Sequence, residues 1–273
     1  MRLCAFADEA SEAISGQIAA LKRNGIDLLE IRGVDGENIS VISEQKAKEV
    51  RRMLDAEGIS VWSMGSPIGK YKMALDIAPH LETHKRIIEL AYILGASRVR
   101  MFSFFPISGE DYDTTRERAL ERLDALCELT PDGIVLCHEN EKHIFGETAE
   151  ACLAIHKAFP RIRAVFDPAN FIQCGVDTLS AWEALHSYVD YLHIKDALYD
   201  GTVVPAGEGD GNLKTIISSY LANGGSVMTL EPHLQQFTGL SGLENGRTVK
   251  MQRVYKDNDE SFDAAVTALK KLI

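Results

Sequence analysis

The sequence predicts the α/β class, as a single (β/α)8 TIM barrel over residues 1–273. Three observations predict it. A phrase of amphipathic helix, glycine and apolar run recurs along the chain. The apolar runs number eight, each with a helical stretch after it. Ligand-type side chains stand at the ends of the last four runs. Strict βα alternation implies a parallel sheet, and eight units in about 250 residues match a closed barrel. An open, doubly wound sheet ranks behind, because no Gly-x-Gly-x-x-Gly follows the first run.

The strands are expected at 3–8, 28–34, 60–66, 98–104, 134–139, 163–167, 190–194 and 227–231. After the first, Ile14, Ile18 and Leu21 fall at i, i+4, i+7, the spacing of one helix face. Asn24-Gly25-Ile26 then leads into Leu28-Leu29-Glu30-Ile31-Arg32. Glu57-Gly58-Ile59 leads into Val61-Trp62-Ser63-Met64, and Leu94-Gly95-Ala96 into Val99-Arg100-Met101-Phe102. Asp132-Gly133 precedes the fifth strand and Asn223-Gly224-Gly225 the eighth. Glycine just past a helix end supplies the left-handed residue that closes the last turn. Phe262, Val266 and Leu269 mark the face of a final helix over 259–272. Polar loops 67–76, 199–212 and 234–258 follow strands three, seven and eight, on the face where barrel active sites are built.

Composition sets the outer bounds. Hydrophobic content of 45% and charged content of 25% are those of an ordinary globular domain. A net charge of −11 argues against nucleic acid as the default partner. No apolar run approaches a membrane span, and the N-terminus turns acidic too early for a signal peptide. The five cysteines (Cys4, Cys127, Cys137, Cys152, Cys174) are scattered, with no Cys-x-x-Cys, which reads as a cytoplasmic protein with reduced thiols. Cys137 reads as a small buried hydrophobe. A homo-oligomer is compatible with all of this.

Four residues carry the chemistry. Glu139 ends Ile134-Val135-Leu136-Cys137-His138-Glu139, Asp167 ends Ala164-Val165-Phe166-Asp167, His193 ends Tyr191-Leu192-His193, and Glu231 ends Val227-Met228-Thr229-Leu230-Glu231. Alternation along a strand puts Cys137 with Glu139, Val165 with Asp167, Tyr191 with His193 and Thr229 with Glu231 on one face. Any one of these acids alone reads as a solvated rim residue or a helix cap. All four together can converge on one divalent metal. Oxygen-rich ligation with a single imidazole points to Mn²⁺, with Mg²⁺, Co²⁺ or Zn²⁺ as alternatives.

Lys195 and Asn170 are the best candidates for polar substrate contacts, with Arg32, Ser66 and Glu208 behind them. His138, adjacent to Glu139, should point toward the helices, while His233 is two residues past Glu231. His80, His84, His156 and His186 fall in helical stretches, where surface roles are expected, and Trp62 and Trp182 read as packing. Gly207-Glu208-Gly209-Asp210-Gly211 reads as a mobile acidic turn and not as a phosphate cradle.

The segments His138-Glu139-Asn140-Glu141-Lys142, Phe166-Asp167-Pro168-Ala169-Asn170, His193-Ile194-Lys195-Asp196, Gly207-Glu208-Gly209-Asp210 and Leu230-Glu231-Pro232 resemble the xylose-isomerase-like barrels, over essentially the whole chain. That superfamily includes sugar and sugar-phosphate isomerases and epimerases, inosose dehydratases and apurinic-site endonucleases. In the epimerases, the residues matching Glu139 and Glu231 are both metal ligands and acid/base groups, and those matching Asp167 and His193 complete the metal sphere. Asn170 stands where many free-ketose epimerases have His, and the resulting Asp-x-x-Asn form is closer to pentulose-phosphate 3-epimerases. The Arg that follows the His ligand in those enzymes is missing near Tyr199. The extra histidines of a trinuclear zinc nuclease are also missing.

The resemblance implies a metal-dependent sugar or sugar-phosphate isomerase or epimerase, acting on a small molecule in carbohydrate metabolism. Proton removal beside a carbonyl creates an enediolate, which a divalent cation stabilises as a Lewis acid. Epimerisation needs a base on one face and an acid on the other, roles for Glu139 and Glu231. The rival readings are a polyol or keto-sugar dehydratase, which shares the enolate step, an apurinic-endonuclease-like phosphodiesterase, and an inactive sugar-binding barrel.

Overall fold

A computed structural model describes residues 1–243 and 248–273. Eight parallel strands close into a barrel: β1 (Arg2–Ala5), β2 (Leu28–Ile31), β3 (Ser60–Gly65), β4 (Arg98–Met101), β5 (Val135–Glu139), β6 (Arg163–Phe166), β7 (Val189–Ile194) and β8 (Val227–Leu230). Closure is made by β1 on β8, with Arg2 opposite Val227 and Ala5 opposite Leu230. All eight expected strands form, several ending one to three residues short of the predicted limit because the chain turns into its loop once ladder pairing stops.

The helices surround the barrel: α1 (Ile14–Asn24), α2 (Glu44–Ala56), α3 (Ala78–Leu94), α4 (Tyr112–Glu128), α5 (Ala149–Ala158), α6 (Pro168–Gln173), α7 (Thr178–Leu185), α8 (Leu213–Ala222) and α9 (Asn258–Lys270), with a single turn at Leu240–Leu243. α1 buries Ile14, Ile18 and Leu21, and α9 buries Phe262, Val266 and Leu269, the faces read from their spacing. Gly95 closes α3 at φ 76°, where its amide reaches back to Ala91 and Tyr92; a side chain there would be strained. No described helix is long and apolar enough to cross a membrane.

The barrel interior is layered. Cys4, Leu28, Cys137, Val165, Tyr191 and Val227 form an apolar layer. Above it, two residues further along, stand Glu30, Glu139, Asp167, His193 and Thr229, with Phe6 just past β1. Below it Arg98 pairs with Asp190 and lies 3.7 Å from the centre of the Trp62 ring. The polar groups are therefore held on a packed floor, open toward the loops at the strand C-termini.

Three helical histidines depart from the surface placement expected of them. His80, His84 and His156 are buried, each with a hydrogen-bond partner: His80 Nε2 accepts from the Gly69 amide at 2.9 Å, His84 Nε2 lies 2.9 Å from Thr130 Oγ1, and His156 Nδ1 lies 3.2 Å from the Ile162 carbonyl. Burial lowers all three to about 4, so they are neutral at pH 7. His186 is exposed, as expected.

The glycine-rich loop also differs from a mobile turn. The buried Asp196 carboxylate accepts from the amides of Gly207 (2.8 Å), Gly209 (3.0 Å) and Gly211 (3.1 Å). A Cβ on Gly209 would stand 2.3 Å from Asp196 Oδ1, so the backbone can approach this closely only as glycine. Of the loop 234–258, residues 244–247 lie outside the described residues.

Candidate metal centre

Glu139 ends β5, Asp167 follows β6, His193 lies within β7 and Glu231 follows β8. Val165 pairs with Tyr191, and Thr229 pairs with His193, which brings the strand ends to a similar height. All four side chains are buried, and one ligand-type atom of each lies within 4.8 Å of those of the other three.

The hydrogen bonding inside this cluster is incomplete in a telling pattern. Glu139 Oε2, Asp167 Oδ2, His193 Nδ1 and Glu231 Oε2, one atom from each residue, make no hydrogen bond. His193 Nδ1 lies 3.1 Å from Glu139 Oε1 and 3.2 Å from Glu231 Oε2, and Lys195 Nζ lies 2.8 Å from Asp167 Oδ2, close but without hydrogen-bond direction. Buried polar atoms left this way are costly. Three carboxylate oxygens and one ring nitrogen, the nitrogen once its proton is displaced, fit a hard divalent cation.

A surrounding layer orients these groups. His193 Nε2 lies 3.2 Å from Glu30 Oε2, inside the barrel, and Glu30 also accepts from the Tyr191 hydroxyl at 2.9 Å. A carboxylate on the far nitrogen fixes the ring's tautomer so that Nδ1 faces the cluster. Asn170 donates to Glu139 Oε1 at 3.2 Å, and its amide donates to Asp167 Oδ1 at 2.9 Å, capping α6. Asn140 exchanges two hydrogen bonds with the backbone of Asp167, at 2.8 and 2.9 Å. Arg32 donates to Glu231 Oε1 at 2.7 Å and grips both oxygens of Asp8.

The charge states follow from these contacts. Burial alone would lower His193, but Glu139, Glu30 and Glu231 raise it well above the ordinary imidazole value. Burial alone would raise Glu231, but Lys195 and His193 hold it well below the ordinary carboxylate range. Burial pushes Asp167 up to about 6 against the pull of Lys195. A second trio, Glu9, Glu231 and His233, also has its ligand-type atoms close together. There the Arg32 guanidinium, 2.7 Å from Glu231 and 3.4 Å from Glu9, already supplies the positive charge.

The other expected site residues divide. Lys195 and Asn170 touch the cluster directly, and Arg32 touches Glu231. Ser66 lines a pocket of about 440 Å³ together with Arg32, donating to the Arg100 carbonyl at 2.6 Å. Glu208 is exposed, pairs with Arg253 at 2.6 Å and does not line that pocket. Glu30 and Arg100 escaped the sequence reading. Their signal was available: a charged residue inside an apolar strand, on the inward alternation, as in Leu28-Leu29-Glu30-Ile31.

The family described as xylose isomerase-like TIM barrel matches residues 18–256. Similar solved structures include D-psicose 3-epimerase with D-tagatose from Clostridium cellulolyticum H10, 16% identical over 100% of this chain and 98% of that chain, with a TM-score of 0.73. The probable 3-DHS dehydratase AsbF of Bacillus anthracis, involved in petrobactin synthesis, is 14% identical over 99% of both chains, with a TM-score of 0.75. The IolI protein with a bound zinc atom is 17% identical over 100% of this chain and 98% of that chain, with a TM-score of 0.75. No curated protein matches the sequence. At these identities the likeness to solved structures is one of fold.

Proposed function

The chain belongs to the xylose isomerase-like TIM-barrel family, and from that premise we propose that it is a divalent-metal-dependent isomerase or epimerase of a sugar or sugar phosphate. The observation that carries this reading is the set of four buried, hydrogen-bond-free atoms, one each from Glu139, Asp167, His193 and Glu231. These four residues would hold the ion, with Mn²⁺ the expected metal. When bound, a divalent ion supplies Lewis-acid stabilisation of the negative charge that develops on an enediolate.

The protein's own groups do the rest. Glu139 and Glu231 come from β5 and β8 and approach His193 Nδ1 from different strands. One removes the proton beside the carbonyl and the other returns a proton from the opposite face. Lys195 keeps its charge, since Asp167 and Glu231 outweigh its burial, and it would hold a substrate oxygen. Asn170 keeps Glu139 oriented. The neighbouring folds include a D-psicose 3-epimerase, which favours this chemistry, and a probable dehydratase, which would share the first proton removal.

The test is proton exchange. Mn²⁺-loaded enzyme incubated with a panel of ketoses, ketose phosphates and inososes in D₂O is expected to place deuterium beside the carbonyl of its substrate. A dehydrated product would favour the rival reading. Product epimerised without any label would remove the two-glutamate scheme.

A further inference from the structure

The pocket beside the metal-centre residues is lined by three basic side chains, Arg32, Lys70 and Arg100, and by three acidic ones, Asp8, Glu12 and Glu37. They are not equally committed. Arg32 is bound to Asp8, Glu9 and Glu231. Lys70 is bound to Glu141 at 2.9 Å. Arg100, 2% exposed, lies 3.2 Å from Glu139 Oε2 without hydrogen-bond direction, feels the buried Glu30 carboxylate as well, and its Nε makes no hydrogen bond at all. Its guanidinium is held by aromatic faces, 4.5 Å from the Phe102 ring centre and 5.6 Å from that of Phe6. A buried arginine with unfilled donors on a pocket wall asks for an anion.

We propose that Arg100 is the specificity residue of this pocket and that the substrate carries one carboxylate, as a keto or hydroxy acid of the sugar class. The inference rests on the proposed function and narrows its substrate. The unpaired guanidinium, not the net charge, selects the anion. The basic and acidic lining groups balance, and only one guanidinium is under-used, which suits a single carboxylate in the planar fork of an arginine. A phosphate dianion would demand a second free cation on this pocket wall, and the other two that line it, Arg32 and Lys70, are already engaged. Because Arg100 also touches Glu139, an acid held there sets its neighbouring carbons against the metal-centre residues.

The experiment compares four probes by calorimetry on the full Mn²⁺-loaded protein: 5-keto-D-gluconate, its neutral amide, D-fructose and D-fructose 6-phosphate. The acid is expected to bind about tenfold or more tighter than the amide or D-fructose, the scale of a hydrogen bond to a charged group. Arg100→Gln is expected to erase the preference for acid over amide, and Arg100→Lys to keep part of it. Equal affinity of acid and amide for the wild-type protein would overturn the proposal, and this arm needs no variant to fold. Tighter binding of the phosphate than of the acid would overturn it in favour of a phosphorylated substrate. An equal loss for all probes in Arg100→Gln would overturn it in favour of a role confined to positioning Glu139. Metal-dependent proton exchange is followed on every probe in parallel. Exchange without preference for the acid sinks this inference alone, whereas no exchange on any substrate sinks the proposed function beneath it.

Discussion

At the scale of single residues, the site is defined by which buried atoms are left without a hydrogen bond. Glu139→Gln and Glu231→Gln keep the shape of each side chain but remove its basicity. Each is expected to lower turnover by roughly 10²-fold or more, with metal content measured in the same samples. A variant that keeps its metal and loses exchange isolates proton transfer, and one that keeps both contradicts the assignment. Glu30 makes a separate case. It contacts His193 Nε2 from inside the barrel, so Glu30→Gln should weaken metal binding by about 10–100-fold, read by competition with a coloured chelator. Acidity acts on the same imidazole. His193 is raised well above its ordinary value when metal-free, so near neutrality it holds a proton that an ion must displace. Metal affinity should therefore fall as pH falls, with protons released on binding; a pH-independent affinity would count against His193 as a ligand.

At the scale of elements, the strand ends were legible because a barrel strand has a simple code. Apolar alternation ending in Glu, Asp or His gave strands five to eight and the inward face of each. Glu30 and Arg100 were harder, because a charge inside a short apolar run also fits an exposed edge, and only closure of the barrel puts them inside. The histidines of α3 and α5 were misread for a related reason. Helix spacing shows a face, but the depth of that face depends on packing against β3–β6. These buried neutral rings predict an acid limit. Their folded values near 4 lie below the ordinary imidazole value, so their contribution is complete above about pH 6.5 and is lost as pH falls toward 4. Each should cost on the order of 1 kcal/mol or more across that window, and His84→Gln should flatten the acid limb of a urea-denaturation profile. The loop after β7 was unreadable because its organiser is one carboxylate. Asp196→Ala strips three glycine amides of their acceptor and should cost about 1–3 kcal/mol. Unchanged amide-exchange rates at Gly207, Gly209 and Gly211 in that variant would refute the anchoring role.

At the scale of the whole molecule, strands and helices repeat closely enough for the fold to be read from period alone. The function depends on what the last four strands bring to the barrel mouth. An ion bound at 100 times its dissociation constant would stabilise the folded chain by about 2.7 kcal/mol, a rise in melting temperature on the order of 5 °C that chelation should reverse. The most direct measurement is an anomalous difference map from crystals of the full chain grown with Mn²⁺. One strong peak is expected within about 2.0–2.4 Å of an atom from each of Glu139, Asp167, His193 and Glu231. A peak elsewhere, or none at saturating Mn²⁺ with those four side chains ordered, would contradict this ligation.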